Sequence, residues 1–351
     1  MSVNSTGPAG HRLGAWLAAL APLGAALFHA VDSPLLRSDA SRAARGGGEA
    51  LLQGSPSLWL GRLFEALPFG AQASRATLLG ALGAGCAGLF TYLLARDATA
   101  RKTAPTALEP WFALAMTWSA LLGASWLDES SVVSGAAPAA ALGLGLWWEV
   151  RRGLRLPLPL VGAAFGVLLA ESAWVGAALA LTVSFEPALR RREGYLGGLT
   201  GLLLALGACF GALMAAGDPF PWARDTAVSF GEAFPWGAAG FFAELGLLPT
   251  LAGGGALVLL LLRRWSRKWT LREPRNWALL VPILLDLTLP LAGGTGLLQT
   301  PAPTARLGLH LFALASAACL ANIGLCAVSE AARGWQLYGA SAARPLLAAL
   351  G

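Results

Sequence analysis

Residues 157–187 read "PLPLVGAAFGVLLAESAWVGAALALTVSFEP", an apolar run with one charge, Glu171, near its middle and a second, Glu186, at its end. A helix needs roughly 20 mostly apolar residues to cross a bilayer. This run is too long for one upright crossing and short for two. Read as one tilted helix, it leaves the chain with nine crossings. Read as two short helices hinged near Glu171, it gives ten, and every later loop changes sides. The side on which any site lies turns on that choice.

The composition supports a membrane as the setting. Of 351 residues, 56% are hydrophobic and only 13% charged, about half the charged share of a soluble domain. Gly (44) and Pro (21) are plentiful, as bilayer helices tolerate. Further apolar runs lie at 12–31, 76–95, 110–127, 131–148, 195–216, 238–262, 276–298 and 305–329. Cytoplasmic loops collect Lys and Arg, which tests the count. Ten spans with a cytoplasmic N-terminus put Arg96, Arg101 and Lys102, Arg151, Arg152 and Arg155, Arg190–Arg192 and the 263–275 loop all inside. Nine spans would move the last two clusters outside and erase the asymmetry. The sequence therefore predicts an all-α integral membrane protein with about ten transmembrane helices. It is a single polytopic domain over 1–351, in a bacterial inner membrane, with both termini cytoplasmic.

Several classes are excluded on the way. Cys86, Cys209, Cys319 and Cys326 sit inside apolar runs without CxxC spacing, which argues against disulfides and structural zinc. The net charge of +6 is concentrated in inner loops such as "RRWSRKWTLREPR" at 263–275. Anionic headgroups account for that loop, and no nucleic-acid partner is expected. Phe28, His29 and Ala30 make a poor signal-peptidase site, so 12–31 reads as an uncleaved first helix.

Two outer loops stand out by length, 32–75 and 217–237. Loops on a rigid scaffold carry function more often than the scaffold does. Within the first, residues 54–70 read "GSPSLWLGRLFEALPFG". On a helical wheel Trp59, Leu60, Leu63, Phe64 and Leu67 share one arc, with Gly61, Arg62 and Glu65 opposite. That pattern predicts an interfacial amphipathic helix on the outer surface.

This plan resembles the GT-C superfamily of membrane glycosyltransferases, in particular the bacterial family similar to protein O-mannosyltransferases. The residues that carry the likeness are Asp32-Ser33 or Ser38-Asp39, "GSP" at 54–56, "LGRLFEALPFG" at 60–70, and Arg75 before "ATLLGALGAG". "SWLDESSVV" at 125–133 is similar to the family's Trp and acidic residue at the outer end of the third span. The family's His-Pro-Pro-Gly has no His here, and Glu171 stands where the family tends to place a His. The resemblance covers about residues 12–185. It implies a GT-C-like bundle that uses a polyprenyl-phosphate sugar donor and a protein or glycan acceptor, or a degenerate copy of such an enzyme. It also implies a loop carboxylate in catalysis, Asp39 or Asp32, and a divalent metal supporting the phosphate. Substrate contacts are expected from Arg62, Glu171 and, in "DPFPWARD", Trp222 and Arg224.

Glu244 and Asp286 lie inside apolar runs, where a carboxylate costs about 2.5–3.5 kcal/mol on insertion scales. Asp286 precedes Thr288, Pro290 and Gly293-Gly294, which should kink or break its helix. Midplane carboxylates beside broken helices also describe transporter sites. A secondary transporter and a non-catalytic membrane subunit are therefore the alternative readings. His310, about one turn into the last run, reads as a polar helix-end residue, and His29 lies beside Asp32. No metal site is assigned from these residues.

Overall fold

The computed structural model describes residues 8–32, 56, 60, 77–99, 108–131, 135–185, 195–215, 238–265, 274–294, 303–334, 336–337 and 340–341. The described chain is helical apart from one two-residue antiparallel pair, β1 (Gln336–Leu337) with β2 (Ala340–Ser341). The helices are α1 (Pro8–Asp32), α2 (Leu78–Thr99), α3 (Glu109–Leu121), α4 (Ala124–Ser131) and α5 (Ala136–Arg151). Then come α6 (Leu158–Glu171), α7 (Ala173–Val183), α8 (Tyr195–Ala215), α9 (Ala238–Leu245) and α10 (Leu247–Trp265). The last are α11 (Pro274–Trp277), α12 (Leu280–Gly294) and α13 (Pro303–Gly334).

Among the described residues each of the ten apolar runs is mainly helical, and the hinge lies where the charge suggested. Ser172 takes extended angles (φ −148°, ψ 97°) between α6 and α7, and its Oγ accepts the Val175 N–H at 3.4 Å. A serine in this role satisfies one of the free donors at a helix start. Two other runs break in their interior, and a third, 276–298, begins in α11 and resumes in α12 after a two-residue turn. The run 110–127 breaks at Leu122-Gly123 into α3 and α4, and α4 meets α5 at a bend of 110°. The run 238–262 breaks at Gly246, whose φ of +89° is a conformation that costs glycine little. By contrast, α12 runs on through Pro290 to Gly294 instead of ending after Asp286. Three helices among the described residues are long and apolar enough to cross a membrane: His11–Ala30, Leu78–Thr99 and Leu307–Ser329. A fourth is added if the bent α4–α5 pair is one span. Ten full-length crossings are thus more than the described helices supply.

α13 is the centre of the bundle, with 89% of its apolar window buried, against 22% for α1. The bundle approaches α13 closely: a Cβ at Gly324 would collide with the Ala252 carbonyl on α10. Small residues let helices pack at such distances where lipid offers no hydrophobic drive. The exterior is strongly apolar, as at Leu247 (77% exposed), Phe28 (71%) and Leu204 (70%). Patches of this kind mark contact with something other than water, and membrane association accounts for them.

Polar side chains gather at the two ends. At one, Arg151 of α5 lies 2.6 Å from Asp97 of α2 and donates to Asn276 of α11 at 3.0 Å. Asn276 and Asn322 in turn donate to the Ala98 and Ala95 carbonyls. At the other end lie the breaks at 122–123, 172 and 246, the last turn of α1 and the first turns of α13.

Candidate functional site

The broken end is built around α4, "ASWLDESS". Its first turn faces α9, and Gly123 lets the two approach, since a Cβ there would lie 3.2 Å from Glu244 Cγ. The Ser125 N–H donates to Glu244 Oε1 at 2.5 Å and its Oγ–H to Oε2 at 2.9 Å. One carboxylate therefore holds the start of a helix whose N-terminal N–H groups need acceptors. On its far side Glu244 Oε2 is 3.2 Å from His310 Nε2. The other ring nitrogen, Nδ1, is 2.7 Å from Asp286 Oδ2. The Phe241 ring meets the imidazole edge-on at 5.7 Å.

Four helices thus contribute one connected cluster: α4, α9, α12 and α13. The side chains of Glu244, His310 and Asp286 are 5%, 3% and 6% exposed. Buried charged groups persist only when paired and hydrogen-bonded, and each of these is. The two carboxylates lie on opposite ring nitrogens, so they do not converge on one cation. Among the described residues no group of three or more potential ligands does so either. Ser125 Oγ bonds Glu244 rather than the imidazole, so the cluster is not a serine nucleophile with its histidine base. What a histidine between two carboxylates can do is hold protons and pass them.

A second contact lies on the same helix. His29 Nε2, in the last turn of α1, is 3.1 Å from Asp128 Oδ1 on α4, both groups part-exposed. The Ser130 carbonyl of α4 packs against Gly80 of α2. Glu171 closes α6 at the same end: the neighbouring Ser172 Oγ lies 3.4 Å from where a Cβ on Gly308 would sit, two residues before His310.

No family profile, no curated protein and no solved structure matches the chain. The residues alone must therefore carry the reading. Of those singled out by sequence, Glu244 and Asp286 are brought together, with His310 as the bridge. His310 is no mere helix-end polar residue; it is 2% exposed. Glu171 lies at the same end. Asp32 is the last residue of α1, three residues beyond His29. Asp39, Arg62, Trp222, Arg224 and the amphipathic segment 58–67, apart from the position of Leu60, lie outside the described residues. His310 and Ser125 were missed as partners. One available signal was depth: His310 and Glu244 each lie five or six residues from the N-terminal boundary of their apolar runs.

Proposed function

We propose that the chain is an integral membrane protein of ten spans acting as a GT-C-type glycosyltransferase on the extracytoplasmic side. The reading rests on the sequence resemblance, and one observation supports it best. The stretch that resembles the family's Trp-acid motif forms α4, and Asp128 of α4 contacts His29 at the end of α1. The outer loop bearing Asp32 and Asp39 begins at that point. Two segments that the resemblance makes functional, far apart in sequence, are therefore neighbours. The segregation of Arg96, Arg151 and Arg152 to the opposite end is what the positive-inside rule asks of the cytoplasmic face.

In this reading a polyprenyl-phosphate sugar enters from the outer leaflet. Arg62 or Arg224 holds its phosphate, Trp222 stacks on the sugar, and Glu171 contributes a polar contact at the hinge. Asp39 or Asp32 accepts the proton of an acceptor hydroxyl as its oxygen bonds to the anomeric carbon. The bond from that carbon to the phosphate oxygen breaks, and polyprenyl phosphate leaves. The resemblance also implies a divalent metal, but the described residues offer no converging ligand set.

The test uses membranes containing the full chain, supplied with polyprenyl-phosphate mannose or glucose. Asp39→Ala and Asp32→Ala are compared with wild type for transfer into protein or glycan. Loss of transfer in either variant, with membrane insertion intact, is the expected result. Full activity in both would refute the reading.

A further inference from the structure

We infer that Glu244, His310 and Asp286 form an intramembrane proton-binding site in which the imidazole passes protons between two carboxylates. The inference stands on the geometry of the cluster and does not depend on the transferase reading.

The first support is the arrangement. A buried histidine is satisfied by one acceptor and one donor; here both ring nitrogens meet carboxylate oxygens, at 2.7 and 3.2 Å. Each carboxylate comes from a different helix, and neither is held by sequence neighbours. A purely structural tie between α12 and α13 needs only Asp286 and His310. Glu244 is the added group, and it carries the connection outward: its carboxylate accepts both Ser125 bonds at the start of α4. One turn along α4 lies Asp128, whose side chain is 47% exposed. The cluster therefore has a near side, Glu244, linked through one short helix to the exposed end, and a far side, Asp286.

The second support is the backbone around it. The helix bearing Glu244 stops two residues later at Gly246, in a left-handed conformation. On α12 Pro290 has no N–H to give the carbonyl of Asp286 four residues earlier, and Thr288 Oγ–H donates to the Leu284 carbonyl at 2.7 Å. Both carboxylates are thus on helices with a local defect in their hydrogen-bond ladder, where small shifts cost least.

The transfer balances without any other reactant. Glu244 gives the proton on its carboxyl to His310 Nε2, while Nδ1–H gives its proton to Asp286 Oδ2. Glu244 ends ionised, Asp286 ends neutral, and the imidazole ends as the other neutral tautomer. Among the described residues, the other titratable positions on the elements at this end are few. Asp128 and Glu129 follow Ser125 on α4, Glu171 closes α6, and Arg306 lies one turn before His310 on α13; α7 carries none. Arg96 and Asp97 of α2, Glu109 of α3, and Glu149 and Arg151 of α5 belong to the opposite end.

The experiment takes the purified full chain in lipid nanodiscs between about pH 5 and about pH 9, a range spanning ordinary His titration. Infrared difference spectra read protonated carboxyl groups, and ¹⁵N-histidine spectra read the tautomer of His310. The wild type should show pH-dependent carboxyl signals, one lost in Glu244→Gln and one in Asp286→Asn, while Glu109→Gln keeps both. His310 should populate both neutral tautomers in the wild type, and Glu244→Gln and Asp286→Asn should each shift their ratio. Carboxyl signals identical in wild type and both acid variants would overturn the proposal. Should either variant fail to fold, wild-type His310 decides: a single fixed tautomer across the range refutes the relay. No sugar enters the measurement, so its failure and that of the transferase reading are distinguishable.

Discussion

The two ends of the bundle solve one problem in opposite ways. At the basic end a buried cation, Arg151, is anchored by Asp97 and Asn276, and the asparagines lean on helix carbonyls. Of the helices meeting there, α2, α5 and α13 are unbroken up to the contact, while Asn276 comes from the single turn of α11, set off from α12 by two residues. At the other end the helices are interrupted, and the charges that bridge them are acids around a histidine. A continuous helix needs its polar groups only at its terminus. An interrupted one exposes backbone donors and acceptors within the bundle, and side chains must satisfy them. The basic end therefore reads as a clamp, and the acidic end as the part able to rearrange.

The contrast can be broken experimentally, beginning where the effect is largest. His310→Ala leaves two carboxylates facing an empty site, and removing one partner of a buried charge pair costs about 3–5 kcal/mol. It should lower thermal stability in detergent more than any single change at the acidic end. Arg151→Ala should approach that loss, because its side chain is 1% exposed, but should leave the environment of His310 unchanged by NMR. Perturbation of His310 by Arg151→Ala would mean that the two ends are coupled. Ser125→Ala keeps the backbone bond to Glu244 and removes one hydroxyl bond to a charged group, for about 1.5–3 kcal/mol. Gly246→Ala forces an alanine into left-handed angles, at about 1–2 kcal/mol, and should stiffen or misplace α9. The smallest effect is expected of Asp128→Asn. Its pair with His29 is part-exposed, and such pairs contribute about 0–1 kcal/mol. A large stability loss there would move Asp128 from a surface role to a structural one.

Much of this was legible beforehand, for definable reasons. Apolar run length is a local property, so all ten helical runs could be read, and the charge at Glu171 marked the Ser172 break. The break at Gly123 escaped because that glycine sits in apolar context, and the break at Gly246 because Glu244 beside it reads as a buried carboxylate rather than as a helix end. What makes them breaks is a close approach to Glu244 in one case and a left-handed turn in the other. Pro290 misled in the opposite sense, since a helix among neighbours can absorb one missing donor. The site was only half legible. Glu244 and Asp286 declared themselves by being charged in apolar surroundings. That His310 joins them, 66 and 24 residues away in sequence, is a property of packing, which no local pattern encodes.

The placement of α13 has a consequence for biogenesis. The helix most enclosed by protein is also the one that leaves the ribosome after all the other described helices. Until it emerges, its neighbours on α2, α3, α5 and α10 surround a vacant slot, and Glu244 and Asp286 have no imidazole between them. Nascent chains stalled before residue 303 should therefore be held by insertase or chaperone and degraded quickly once released.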